Sequence, residues 1–267
     1  MWSIIKRTIS DRKTVILIYI IVSLAFLTMY VAMFPSFSDQ TEQWEQMIET
    51  VPEGMMKAFN LEDYSFARLE NFLSGELYTI TWPLLLIILA VSTAGAAIAN
   101  EIEKGTIEII LSQPISRIRF YLSRYIAGMI IIALFVALTI FPAIPLAKIF
   151  NISTKGENYL TLSLMAFLFG LAIFSIGYAL SAVFSDRGKV YFVTAGLMVL
   201  MYVCNIVALL KESFSDLKYL SFFHYFDPVD SLVRNKIDET GIVVFILTII
   251  ATFIFGLIYY NRRDIAT

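Results

Sequence analysis

Charge is scarce in this chain, and so are the side chains of catalysis. Only 16% of the 267 residues are charged, against roughly 25% in soluble domains. The single cysteine, Cys204, rules out an intrachain disulfide. A lone thiol within an apolar run is small filler and carries no redox information. The single histidine, His224, excludes an HExxH motif and any multi-histidine metal cluster. Set among the aromatic residues of YLSFFHYFDP, it reads as an interface residue rather than a ligand. No GxxxxGK[ST] phosphate loop and no G-x-S-x-G nucleophile elbow occur. The chain therefore lacks a recognisable nucleotide site, metal centre or activated nucleophile.

What is present is apolar: 58% of residues, with a mean hydropathy of +0.76. These residues gather into six charge-free runs, Thr14–Phe34, Leu77–Ala99, Tyr125–Ala147, Leu160–Phe184, Val190–Leu210 and Gly241–Tyr260. Each reaches the ~20 residues that an α-helix needs to cross a bilayer. The pattern predicts an all-α polytopic membrane protein, one transmembrane domain over 1–267 with six membrane-spanning helices. The first run exceeds the ~7–15 residues of a signal h-region, and no small-x-small cleavage site follows it, so it is expected to remain as a span. Charge-free spans argue against a proton relay or buried ion site. The polar groups within them are few. Ser92 and Thr93 in the second run and Asn205 in the fifth are candidates for a substrate pathway, and their plainer role is hydrogen bonding between helices.

Six spans place both termini on one side, and basic residues decide which. The segments on that side hold 12 of the 20 Lys and Arg residues and only 6 of the 22 Asp and Glu residues. Both termini are thus expected to be cytoplasmic. Residues 1–13 carry Trp2, Ile5 and Ile9 near one helical face, with Lys6, Arg7 and Lys13 largely away from it. Such a helix would lie in the headgroup layer, the alternative being a plain basic flank. The first outside loop, 35–76, carries nine acidic residues. Trp44, Met47, Ile48 and Val51 share a helical face there. Pro52 and Ser65 open two further short helices, and the whole is expected to pack on the tops of the spans. Pro142 and Pro145 predict a kink in the third span.

The segment 100–121, NEIEKGTIEIILSQPISRIRFY, lies between the second and third runs. Gly105 breaks the chain direction, Thr106 can cap a new short helix, and Glu108 suits its positive end. Ile107, Ile109, Ile110 and Leu111 give that helix an apolar face, Pro114 ends it, and Ser116 can cap the third span. The residues allow two readings, a docking knob for a partner or a linker pressed against the headgroups.

The pattern Glu101, Glu103, Gly105, Thr106, Glu108, then Leu111, Ser112, Pro114, Ser116, Arg117 resembles the first cytoplasmic loop of type-2 ABC transporter permeases. Phe226–Pro228, reading FDP in the last outside loop, fits the same family. The resemblance implies that the loop is a coupling helix seated on a separate ATPase subunit. It implies contact through Glu101, Glu103, Gly105, Thr106, Ile107, Glu108, Ile109 and Ile110. It also implies a second permease subunit, identical or different, in a bacterial or archaeal plasma membrane. ATP and Mg would be bound by the partner, leaving no cofactor, metal or catalytic residue in this chain and no role for nucleic acid. The function so implied is export of an amphipathic or hydrophobic substrate such as a peptide, lipid or drug. The alternative is an ATP-driven complex that transmits force or handles lipids or partner proteins without moving soluble cargo. An intramembrane enzyme is disfavoured by the missing charges and histidines.

Overall fold

The computed structural model describes residues 1–38, 68–107 and 115–263, and every described element is helical. The stripes read around Trp44, Pro52 and Ser65 lie wholly or mostly outside the described residues, as do Glu108, Ile109, Ile110, Leu111, Ser112 and Pro114. Six helices are long and apolar enough to cross a membrane: span 1 Lys13–Ser38, span 2 Leu69–Gly95, span 3 Arg117–Ile149, span 4 Gly156–Val183, span 5 Arg187–Leu210 and span 6 Glu239–Arg262. They overrun most ends of the apolar runs because polar residues at headgroup depth keep helical backbone bonds.

Burial decides the arrangement. About 61% of spans 2 and 4 is buried within the protein, against 17% of spans 5 and 6. Spans 2 and 4 form the centre, and span 4 packs on spans 2, 3, 5 and 6. Close approach is bought by small residues: a Cβ added at Gly128 would lie 2.0 Å from the Phe174 ring, and one at Gly177 would lie 2.8 Å from Ala94. This is the small-residue packing by which membrane helices associate.

The helix ends carry identifiable punctuation. Ser116 caps span 3, its Oγ accepting from the Arg119 amide at 3.2 Å. Span 3 breaks at Phe141–Pro142 and resumes over Ala143–Ile149, where proline removes a backbone donor. Asp186 caps span 5, accepting from the Gly188 amide at 2.6 Å. Span 2 opens with the α-helical Leu69–Leu73 and continues as a π-helical stretch, Ser74–Thr81, in which the Thr79 hydroxyl donates to the Ser74 carbonyl at 2.6 Å. Further in, Trp82 stacks on Phe135 and its Nε1 donates to Thr139 Oγ1 of span 3 at 2.8 Å.

The amino-terminal helix, Trp2–Asp11, packs on span 3. Ile5 is buried and Ile9 rests against the core, while Trp2 is 72% exposed. The face read from sequence is therefore shared between the protein and its surroundings. Between spans 5 and 6 the chain forms short helices. Phe226 stacks on Phe169 of span 4 at 4.8 Å, and Asp227 Oδ1 accepts from the Val229 amide at 2.8 Å. FDP thus acts here as an anchor and a local cap. His224 lies between the rings of Tyr219 and Tyr225. Burial, then Lys218, lowers its pKa below the ordinary histidine value, which favours the neutral ring.

Candidate functional site

The ends of spans 2, 3, 4, 5 and 6 that carry most of the basic residues meet at one face, called here the basic end. Span 2 stops at Gly95, turns over Ala96–Ile98 and continues as a short helix, Ala99–Glu103. Three neighbouring spans hold this segment. Ser181 Oγ of span 4 accepts from the backbone amides of Ile98 and Ala99 at 3.2 and 2.9 Å, satisfying donors at the start of the short helix. Arg124 Nη2 of span 3 donates to Glu101 Oε1 at 2.6 Å, with side chains only 10% and 18% exposed. The Arg187 amide at the start of span 5 donates to Glu103 Oε2 at 3.1 Å, and its guanidinium pairs with the same carboxylate at 3.7 Å.

The remaining residues of this segment follow from that clamp. The Thr106 hydroxyl donates to the Glu101 carboxylate and to the Glu101 carbonyl. Gly105 has φ +67, a conformation that glycine adopts without strain, and nothing among the described residues lies within 4 Å of its missing side chain. Ile107 is 1% exposed and belongs to the protein's own core. Glu101, Thr106 and Ile107 therefore spend their side chains inside the chain, and Glu103 is shared between span 5 and the surface. The carboxylates were legible as a charged cluster. Their partners Arg124, Ser181 and Arg187 were not, because nothing in linear spacing marks an Oγ some 80 residues away as a cap.

The pathway candidates separate. Ser92 lies one turn from the basic end of span 2 and accepts from Arg12 Nη2 at 2.6 Å. Thr93 is buried, with no hydrogen-bond partner for its Oγ1. Asn205, half-buried, is 18 residues beyond Arg187, or about 27 Å along its helix. Because spans 2 and 5 run antiparallel, Asn205 sits in the opposite half of the protein from Ser92 and Thr93.

None of the three lines the cleft between spans 2 and 5. That cleft encloses about 250 Å³ and is walled by Ile80, Leu84 and Ile87 of span 2, Met198 and Val199 of span 5, and Phe223 beyond it. Its walls are almost wholly carbon, suited to apolar groups.

The described site thus joins six spans, a segment after the second held by its neighbours, and an apolar cleft beside span 2. The family model described as ABC-2 family transporter protein matches residues 2–265. The chain belongs to the ABC-2 family. It is a membrane permease, a transport subunit of a class that pairs with an ABC ATPase. Comparison with curated proteins gives no match.

Proposed function

We propose that this ABC-2 permease exports an amphipathic or hydrophobic substrate, driven by a separate ATPase docked on residues 100–121. The observation that carries the proposal is the triple attachment of residues 98–103 to spans 3, 4 and 5. A segment clamped in this way cannot be displaced alone, so force applied to it reaches three spans together. The basic end is then the cytoplasmic face, in keeping with its excess of Lys and Arg. Glu101 acts as a transmitting residue, and contact with the ATPase falls on Gly105, Glu108, Ile109 and Ile110, with Glu103 at the rim.

The substrate path runs beside span 2 and is completed by a second permease subunit. The cleft of about 250 Å³ is below the roughly 300–1,000 Å³ of a complete small-molecule site. Half of a shared passage would be of that size, and its carbon walls favour an apolar or amphipathic cargo over a hydrophilic one.

The test is reconstitution with the ATPase that co-purifies with the chain. Charge reversal at Glu108, or Gly105→Pro, should lower transport and coupled ATP hydrolysis while membrane insertion persists. Wild-type activity in both variants would overturn the coupling assignment.

A further inference from the structure

Arg12 differs from the other arginines around it at the basic end. Arg7 pairs with Asp11 at 3.8 Å, Arg124 with Glu101 at 2.6 Å and Arg187 with Glu103 at 3.7 Å. Arg117 and Arg263 donate to backbone carbonyls, at 2.5 Å and 2.8 Å. The half-buried guanidinium of Arg12 meets no carboxylate among the described residues. Its Nη2 donates to Ser92 Oγ, and its Nε is buried with no acceptor among the described residues. Tyr191 of span 5 lies against Gly95, one turn beyond Ser92 on span 2. Asp11, next in the chain, is engaged by Arg7.

Burial lowers the pKa of this guanidinium, but an arginine stays charged at any ordinary pH. A charge drawn partly out of water gains from a counter-charge and further hydrogen bonds. Among the described residues it is met by one hydroxyl and no anion. The position is also informative. Arg12 immediately precedes span 1, and Ser92 is one turn inside the end of span 2, so the guanidinium lies near the level of lipid phosphates. Spans 1 and 5 both pack on span 2. Within their first two turns they present Leu17 and Ile18, each more than half exposed, and Phe192, 81% exposed.

We propose that Arg12, with Ser92 beside it, binds the phosphate of an anionic phospholipid from the leaflet at the basic end. The acyl chains would lie on the exposed faces of spans 1 and 5. This site is separate from the coupling segment and from the apolar cleft, and it does not depend on the transport reading.

The test measures lipid retention by the full-length chain in neutral detergent, using native mass spectrometry. Phosphatidylglycerol is titrated against phosphatidylcholine. Arg12→Gln should weaken phosphatidylglycerol binding about tenfold, as expected for loss of a charge-assisted bond, and leave phosphatidylcholine unchanged. Arg12→Lys should keep most of the binding. Arg12→Met fills the same space without charge and serves if Arg12→Gln does not yield folded protein. Wild-type affinity in the Gln or Met variant would overturn the proposal. So would a Lys variant as weak as Gln, because charge would then not be the determinant. Displacement of the lipid by millimolar inorganic phosphate would replace the lipid assignment with a free-phosphate site.

Discussion

The two ends of span 2 are held in opposite ways. At the basic end, Ser181, Arg124 and Arg187 tie its extension to three helices through hydrogen bonds and ion pairs, and Arg12 bonds to Ser92 within the span. Toward the other end, span 2 passes from a short α-helix into a π-helical stretch and faces span 5 across a carbon-lined cleft. Directional bonds fix geometry, and apolar contacts between small and branched side chains allow sliding and repacking. Span 2 is therefore tied by ion pairs at the basic end, while toward the other end Glu70 and Trp82 hold its inner side and its span 5 side faces the cleft. That difference gives each end a distinct response to substitution.

The largest effect is expected at the clamp itself. Glu101→Lys would set a like charge against Arg124 where both side chains are mostly buried. Breaking such a pair costs about 2–3 kcal/mol once its partial exposure is allowed for. Thermal unfolding of the purified chain should show a clear drop in Tm. The exchange Glu101→Arg with Arg124→Glu should recover more than half of it. An unchanged Tm in Glu101→Lys would mean that the clamp does not hold the segment.

A pair of glycines sharpens the same contrast. In span 3, a Cβ at Gly128 would enter the Phe174 ring of span 4, 2.0 Å from its Cζ. Overpacking of this kind costs about 1–3 kcal/mol, so Gly128→Ala should unfold at lower temperature. In span 5, nothing lies within 4 Å of a Cβ at Gly196. Gly196→Ala should be neutral or gain up to about 1 kcal/mol from helix propensity. Equal losses at both positions would show that span 5 is packed as tightly as the centre.

The cleft should separate stability from activity. Ala195 lines it beside Met198, and Ala195→Phe would fill it without disturbing the clamp. The expected Tm change is small, within about 0.5 kcal/mol, together with a marked fall in transport by the reconstituted complex. A large Tm loss with transport intact would make the cleft an ordinary packing gap.

How far these features could be read from the sequence depends on range. The six apolar runs gave six spans because crossing a bilayer requires one local property, length of uninterrupted apolar helix. The Ser116 cap and the break near Pro142 were also legible, since both act within one turn. Gly105 was legible as a breaker, and its φ of +67 gives the reason. What Glu101 and Ile107 do was not legible. Both sit in a segment that reads as exposed, yet one is clamped by Arg124, 23 residues on, and the other is buried in the core. Tertiary partners redirected side chains that local pattern had assigned outward. Asn205 stands apart for a related reason: polarity marks it, but depth along an antiparallel helix sets it in the other half from Ser92 and Thr93.

The smallest effect is expected at the third attachment, between Glu103 and Arg187. Here the side chains are 40% and 49% exposed and the ions are 3.7 Å apart. Exposed pairs contribute about 0–1 kcal/mol and are screened by salt. Glu103 also accepts from the Arg187 backbone amide at 3.1 Å, a bond that survives any change of the arginine side chain. Arg187→Gln should therefore shift Tm only slightly, and less at high salt than at low. Glu103→Ala removes both interactions and should shift it more. Should Arg187→Gln prove as damaging as Glu101→Lys, the clamp would be shared evenly between spans 3 and 5. Span 5 would then be fixed at the basic end as firmly as the centre of the bundle, and the contrast between the ion-paired end and the cleft would have to be redrawn around span 1.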